Sequence, residues 1–216
     1  MGQQQLKHLL ELTGSDLSLE DVRDIADGLA RVKIADSALG RMKQSFLLVK
    51  AIARGGTPTY GISTGFGELS RIYISEDQNL ELQLNLIRSH ASGVGKMFPK
   101  DTVRAIMLLR LNALCVGYSG INPQVACLLA ELINCDITPM IPEQGSLGAS
   151  GDLANLAHMS LVLVGEGEAV VDGEVMSGDK ALRKRGLSPV QLRGKDGLAL
   201  INGTSVMLGL GALACL

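Results

Sequence analysis

The chain has 216 residues, a formal net charge of −2 and an isoelectric point of about 5.9, so its overall charge gives no sign of a nucleic-acid-binding surface. Hydrophobic residues make up 46% of the chain but aromatic residues only 3%, which favours packed helices with an aliphatic core over a β-sandwich. The four cysteines lack CxxC spacing and are interpreted as buried reduced thiols. The polar segment before Leu12 is unlike a signal peptide, so a cytoplasmic location is expected.

Helical periodicity dominates the chain. Ser18 is expected to cap a short helix that ends at Gly28, and Ser75 with Gln78 forms a capping box for a helix ending near His90. Further helices are predicted over about 36–54, 100–117, 123–134, 153–164 and 177–185. Asp172-Gly173 is typical of a β-hairpin turn. Functional groups are expected in three glycine-rich loops, at 55–70, 91–99 and 143–152.

Residues 197–216 form a twenty-residue segment without charge, which is long enough to span a membrane. Its glycines and the polar residues from Asn202 to Ser205 favour instead a buried helix in a large bundle, so no membrane partner is expected. The apolar pattern stops at Leu216 without a helix cap. We therefore interpret residues 1–216 as one truncated unit.

The loop at 145–152 carries the most specific chemical signal, and its sequence is GSLGASGD. If the loop bends tightly, the amide nitrogen of Gly151 can attack the carbonyl carbon of Ala149. Loss of one water from the ring and one from the Ser150 side chain leaves 4-methylidene-imidazole-5-one (MIO), an electrophile. Glycine is needed as the attacker because a Cβ would obstruct the approach. Glycine-rich turns before helices also bind phosphate, so the glycines alone leave both interpretations open.

The longer string PEQGSLGASGDLA, at 142–154, resembles the signature of the histidine and aromatic amino acid ammonia-lyases. The resemblance implies a mainly α, helical ammonia-lyase (L-aspartase-like) fold, of which this chain is the N-terminal portion with one small β-hairpin. It also implies MIO formed from Ala149, Ser150 and Gly151, and no metal; the scattered histidines and cysteines form no metal-ligand pattern. Asp152 resembles the residue that assists cyclisation, and a carboxylate stabilised by a helix dipole is the alternative interpretation.

The loop at 60–67 reads YGISTGFG and is similar to a second loop of the same family. A single loop tyrosine is usually a packing residue with a solvated hydroxyl. The resemblance implies instead that Tyr60 is the base that removes the substrate's β-proton, which requires a lowered pKa, and that Gly61 binds substrate. Ser63 stands where the family usually has Asn or Thr.

The pair Ser89-His90 is expected at a helix C-terminus, where a histidine interacts favourably with the dipole. Within the family, a Ser-His pair at this place resembles the histidine-specific enzymes. The resemblance therefore implies that His90 and Ser89 bind the substrate's ring. Some tyrosine aminomutases also carry Ser-His, so the pair does not name the substrate.

The segment GLALINGT at 197–204 is the fourth match. An asparagine in an apolar run requires a hydrogen-bond partner, and a cap on a helix beginning near Gly203 is one interpretation of Asn202. By resemblance, Asn202 polarises the MIO ring and binds substrate. His158 is interpreted as a structural, hydrogen-bonded core histidine, and Asn155 occupies a position that is usually proline in the family.

Together the four motifs imply non-oxidative elimination of ammonia from the small molecule L-histidine to give trans-urocanate. A tyrosine ammonia-lyase or an aromatic 2,3-aminomutase, and an inactive fragment without MIO, are the alternatives. The family uses a further arginine, tyrosine and glutamate that have no counterpart before Leu216, and its sites are completed within a homotetramer. The 216-residue chain alone is therefore expected to be inactive and to associate non-natively.

Overall fold

The computed structural model describes residues 8–55, 59, 61–62, 64, 76–147 and 151–216. Most of these residues are helical, as predicted. The helices are α1 (Leu19–Ala26), α2 (Asp36–Arg54), α3 (Glu76–His90), α4 (Lys100–Cys115), α5 (Pro123–Asn134), α6 (Leu153–Leu163), α7 (Gly178–Lys184), α8 (Asp196–Ile201) and α9 (Ser205–Ala214). The strands are β1 (His8–Leu12), β2 (Ala30–Ile34), β3 (Val94–Met97), β4 (Thr138–Pro139), β5 (Pro142–Gln144), β6 (Glu168–Val171) and β7 (Glu174–Ser177).

Local sequence signals set several boundaries as predicted. Ser18 caps α1 in a capping box, in which its hydroxyl oxygen accepts from the Asp21 amide at 3.1 Å and the Asp21 carboxylate accepts from the Ser18 amide at 3.0 Å. Asp172 and Gly173 form the turn between β6 and β7 with φ of 55° and 81°, the left-handed pair typical of a two-residue hairpin. The proposed capping residue Ser75 lies outside the described residues.

A parallel pair of strands near the start of the chain was not predicted. β1 and β2 run side by side from His8–Ala30 to Leu12–Ile34, and α1 connects them. The Asn134 side chain, at the end of α5, bonds both the amide and the carbonyl of Val32 at 2.9 Å. These contacts join elements far apart in the chain, so local periodicity did not indicate them.

The core centres on α4, which is buried almost all round from Thr102 to Leu111 and packs against α1, α2, α5 and α9. Two arginines lie within this apolar helix: Arg104 is 4% exposed and Arg110 is 5% exposed. A buried cation is costly unless it is compensated, so both must serve a purpose that leucine would not.

The apolar segment near the end of the chain differs from the prediction of a single buried helix. Asp196–Ala214 is long and apolar enough to cross a membrane by composition, yet only 39% of it is buried. The segment is broken at 202–204 into α8, of six residues, and α9, of ten. Each part is too short for a bilayer, which needs about 20 residues. Met207, Leu208 and Leu210 of α9 are exposed.

The cysteines of the chain are all free, but they are not all buried as predicted. Cys115 is buried, and burial raises the pKa of its thiol to about 12. Cys127 and Cys215 are exposed. The prediction of burial failed because an apolar sequence context does not show which side of a helix faces the core.

Candidate functional site

Two of the predicted functional loops meet in the structure. β3, from the 91–99 loop, pairs antiparallel with β5, which leads into the 143–152 loop. Beside this pair, the amide of Gly93 donates to Nε2 of His158 at 3.1 Å. A Cβ on Gly145 would lie 3.1 Å from the Gly93 Cα and 3.0 Å from the Ala154 Cβ. The chain that follows His90 is therefore held directly against the start of α6.

Gly151 packs against a turn that comes fifty residues later. It is buried with φ of 142°, and a Cβ there would lie only 2.8 Å from the carbonyl oxygen of Gly203. The next amide, that of Asp152, donates to the same oxygen at 2.7 Å. No side chain fits at position 151, which agrees with the need for glycine as the attacking residue in MIO formation. Ala149 and Ser150 lie outside the described residues.

Asp152 is buried and fully hydrogen-bonded. One carboxylate oxygen accepts from the amides of Val206 at 2.9 Å and Met207 at 3.0 Å, and the other accepts from the Ser146 hydroxyl at 3.1 Å. The carboxylate thus caps the N-terminus of α9, where the helix dipole favours negative charge. It makes no capping bond to α6, which begins directly after it.

Asn202 ends α8 and does not cap the next helix. Its amide donates to the carbonyl of Leu198 at 3.0 Å, while Thr204 occupies the N-cap position of α9. The interpretation of Asn202 as a cap on the following helix is therefore wrong. Its side chain is exposed and has no hydrogen-bond partner within the described part of the chain, so the expected internal partner is not found.

Buried side chains from two other helices hold α8 at its ends. Oε1 of Gln83, in α3, accepts from the amides of Gly197 at 2.9 Å and Leu198 at 3.4 Å. Nη2 of Arg110, in α4, donates to the carbonyl of Ala199 in the last turn. Motif comparison did not find these residues; for Arg110, a charged side chain inside the apolar run of α4 was the available signal.

Asp196 is a third buried polar side chain that holds α8 in place, at the start of the helix. It is fully buried, and its two carboxylate oxygens accept from the amides of Asn122 and Arg193, both at 2.7 Å. Burial outweighs these bonds and raises the pKa of Asp196 to about 6.

Ser89 and His90 are the last residues of α3, as predicted. Nδ1 of His90 lies 2.8 Å from the carbonyl oxygen of Leu86, and a carbonyl can only accept, so Nδ1 carries the proton. The Ser89 hydroxyl donates to the same carbonyl at 3.0 Å. In neutral His90, Nε2 is then an acceptor, and it has no hydrogen-bond partner among the described residues.

The described part of the 60–67 loop is attached to the opposite end of α3. Gly61 is buried with φ of 69°, and the Asn79 side chain donates to the carbonyl of Ile62 at 3.3 Å. Tyr60 lies outside the described residues, so its predicted role is not tested. Since α3, α6 and α8 pack on one another, the Gly61 turn, His90, Asp152 and Asn202 all belong to one three-helix unit.

Two residues of α6 hold the 142–152 loop. The Asn155 side chain is buried and donates to the carbonyl of Pro142 at 2.6 Å. His158 accepts from Gly93 with a neutral Nε2, and burial lowers the pKa of its imidazole. The prediction of a hydrogen-bonded structural histidine is confirmed, although His158 is half-buried. No cluster of three or more His, Cys, Asp or Glu side chains in the described ranges is arranged to hold a metal ion.

Known proteins are similar to this chain in sequence and in fold. Residues 17–216 match the model of the family described as aromatic amino acid lyase. The chain is 57% identical over 203 residues to a histidine ammonia-lyase of Treponema denticola, covering 94% of this chain and 40% of that protein. It is 48% identical over 204 residues to a histidine ammonia-lyase of Stigmatella aurantiaca, with the same shares of 94% and 40%. The chain thus spans about 40% of the length of the curated relatives it matches.

Solved structures of related enzymes superpose closely on this chain. Ergothionase from Treponema denticola superposes with a TM-score of 0.92 at 36% identity, covering 95% of this chain and 41% of that one. Tyrosine aminomutase from Streptomyces globisporus gives 0.89 at 42% identity, covering 94% and 38%. Histidine ammonia-lyase from Trypanosoma cruzi gives 0.88 at 35%, covering 95% and 40%. The predicted helical ammonia-lyase fold is confirmed, and the chain belongs to the aromatic amino acid lyase family.

Proposed function

We propose that the protein eliminates ammonia from L-histidine to give trans-urocanate, using MIO formed from Ala149, Ser150 and Gly151. The observation that carries the proposal is the packing of Gly151 against Gly203, where no Cβ fits, next to the buried Asp152 carboxylate. The 57% identity to a histidine ammonia-lyase supports this assignment.

Formation of MIO needs no reagent outside the chain. The Gly151 nitrogen forms a bond to the Ala149 carbonyl carbon, and that carbonyl oxygen leaves as water with the protons of the Gly151 and Ser150 amides. The Ser150 hydroxyl then leaves as a second water with the Cα proton of the same residue, giving the exocyclic double bond. Neither step is a net oxidation or reduction, so a fold that bends the tripeptide is sufficient.

When formed, MIO supplies an electrophile that unmodified side chains lack, which is needed because the substrate amine is a poor leaving group. Tyr60 takes the β-proton in this proposal, and its pKa must be lowered for that role. The exposed Asn202 amide binds substrate and stabilises developing charge.

The substrate assignment depends on Ser89 and His90. With its Nδ1 proton donated to the Leu86 carbonyl, a neutral His90 offers Nε2 as an acceptor for an imidazole N–H. A tyrosine hydroxyl is also a donor, and the 42% identity to a tyrosine aminomutase favours tyrosine chemistry as the second candidate.

Product analysis separates the two candidates. The longest natural chain that contains these residues is incubated separately with histidine, tyrosine and phenylalanine, and the products are separated by chromatography. The proposal predicts urocanate from histidine as the dominant product. Coumarate or a β-amino acid from tyrosine, with no urocanate, would assign the protein to the second candidate.

We also propose that the 216-residue chain is inactive alone and that the complete protein is a cytoplasmic homotetramer. The 40% share of the relatives' length and the exposed apolar side chains of α9 support this. Urocanate formation by the purified 216-residue chain would refute the inactivity.

A further inference from the structure

A buried cation touches the turn against which Gly151 rests, and the proposed function gives it no role. We infer that Arg110 is a positioning residue for the cyclisation of Ala149, Ser150 and Gly151, acting through the turn at Asn202 and Gly203. The inference rests on the proposed function, because it concerns formation of the proposed MIO group.

Burial of the Arg110 side chain in this position is energetically unfavourable. Its side chain is 5% exposed, and within the described residues it has no carboxylate partner, and its Nε has no hydrogen-bond partner. Burial lowers the pKa of the guanidinium to about 10. Its Nη2 donates to the Ala199 carbonyl, at the negative end of α8. A buried charge without an ionic partner is destabilising, and a leucine at this position would avoid that cost.

The Arg110 guanidinium and Gly151 both contact the same glycine, Gly203. A Cβ on Gly203 would clash with Nη1 of Arg110, so the cation reaches the backbone of the turn only because residue 203 lacks a side chain. The carbonyl oxygen of Gly203 accepts from the Asp152 amide at 2.7 Å and would lie 2.8 Å from a Cβ on Gly151. Gly203 is therefore in contact with both Arg110 and Gly151.

This shared contact with Gly203 bears directly on the cyclisation. The reaction requires the nitrogen of Gly151 to be held towards the carbonyl carbon of Ala149, and the Gly151–Asp152 peptide is oriented by its contacts with Gly203. A misplacement of about 1 Å costs roughly a hundredfold in rate for well-oriented reactions. Loss of the guanidinium would release the turn and slow cyclisation, without removing any atom of the tripeptide.

Arg110 also joins α4 to α8, so the test must separate positioning from general stability. Arg104 is the matched control. It lies on the same helix, is 4% exposed, and donates to the carbonyls of Ile25 and Ile133 and to Asp136. These partners lie in α1 (Ile25), in α5 (Ile133) and just after α5 (Asp136). Arg104→Met removes a buried guanidinium without touching Gly203.

The experiment follows the mass of the peptide that contains residues 145–158 over time after synthesis, in the longest natural chain that contains these residues. Only the soluble, folded fraction is analysed, for wild type, Arg110→Met, Arg110→Lys and Arg104→Met. We expect wild type and Arg104→Met to lose two waters at the same rate, and Arg110→Met to do so at least tenfold more slowly. Arg110→Lys should be intermediate, because lysine keeps the charge but not the planar fork of donors.

Wild-type rates in both Arg110 variants would overturn the inference, as would equal slowing by Arg104→Met. If Arg110→Met is not recovered in soluble form, Arg110→Lys decides: slowed maturation supports positioning and a wild-type rate contradicts it. A wild-type protein that never loses the two waters is a different result, because it overturns the proposed function itself and the inference with it.

Discussion

The carboxylate of Asp152 accepts a 2.9 Å hydrogen bond from the amide of Val206, 54 residues later in the chain. Asp152 directly follows the Ala-Ser-Gly tripeptide, and Val206 lies in the first turn of α9. The bond therefore ties the tripeptide to a helix whose outer face is apolar and exposed. The Asp152 side chain therefore links the N-terminus of α9 to the Gly151–Asp152 peptide.

Removal of this carboxylate is expected to destabilise the fold. Asp152→Ala removes the acceptor for the amides of Val206 and Met207 and the charge that favours the N-terminus of α9. We expect the free energy of unfolding to fall by about 1–2 kcal/mol in urea titrations. Asp179→Asn is the control, because Asp179 is a partly exposed carboxylate in the first turn of α7 whose side chain pairs with Arg183 rather than with α9. If Asp152→Ala unfolded at the same urea concentration as wild type, the capping role of Asp152 would be contradicted.

A methyl group on Gly203 should be far more damaging than one on Gly211. In Gly203→Ala the new Cβ would clash with Nη1 of Arg110, and overpacking of this kind costs about 1–3 kcal/mol. In Gly211→Ala the Cβ meets no atom within 4 Å, and alanine is the better helix former by about 0.5–1 kcal/mol. Thermal unfolding of both variants measures the difference. Equal unfolding temperatures for Gly203→Ala and Gly211→Ala would contradict close packing between Gly203 and Arg110.

The buried Asp196 predicts a specific pH dependence of stability. Burial raises its pKa from 3.8 to about 6 in the folded state, so between these values the native state binds more protons than the unfolded state. The free energy of unfolding should therefore fall as pH rises from about 4 to 6, by an amount of about 3 kcal/mol at most from this group. Asp196→Asn should remove this contribution. An unchanged pH slope in the variant would contradict the raised pKa.

His158 predicts the opposite pH dependence, in which the free energy of unfolding falls as the pH is lowered. Burial lowers its pKa below 6.5, so on acidification the unfolded state takes up the proton first. Its contribution to stability is full above about pH 6.5 and is lost as the pH falls below that value. His158→Leu should remove this dependence and, at neutral pH, cost about 1–3 kcal/mol because the Gly93 amide loses its acceptor. Identical pH profiles for variant and wild type would refute this account.

The sequence was informative wherever the determinant is local. Ser18 with Asp21 caps a helix, and Asp172-Gly173 takes a left-handed turn, because both features are decided within four residues. The motif around Gly151 was also recognisable, since the chemistry requires glycine next to alanine and serine. These signals were sufficient to identify the family and its helical fold.

What the sequence did not predict depends on contacts between distant segments. The parallel pairing of β1 and β2, the capping of α9 by Asp152 and the contact of Arg110 with Ala199 join residues 22 to 89 positions apart. The break at 202–204 coincides with the polar residues from Asn202 to Ser205 in the apolar run 197–216, and the helix expected to begin near Gly203 begins at Ser205. Gly203 also lies in this run, and its contacts with Arg110 and Asp152 could not be predicted from the sequence because these residues are distant in the chain.

The most direct test of the central proposal is the mass of the peptide containing residues 145–158 from the longest natural chain that includes them. Ser150→Ala serves as the control, because it has no side-chain hydroxyl to lose. The account predicts that the wild-type peptide is lighter than its sequence by two waters, while the Ser150→Ala peptide never shows that deficit. An unmodified wild-type peptide in folded protein would contradict the account, since the electrophile on which the proposed elimination depends would not exist.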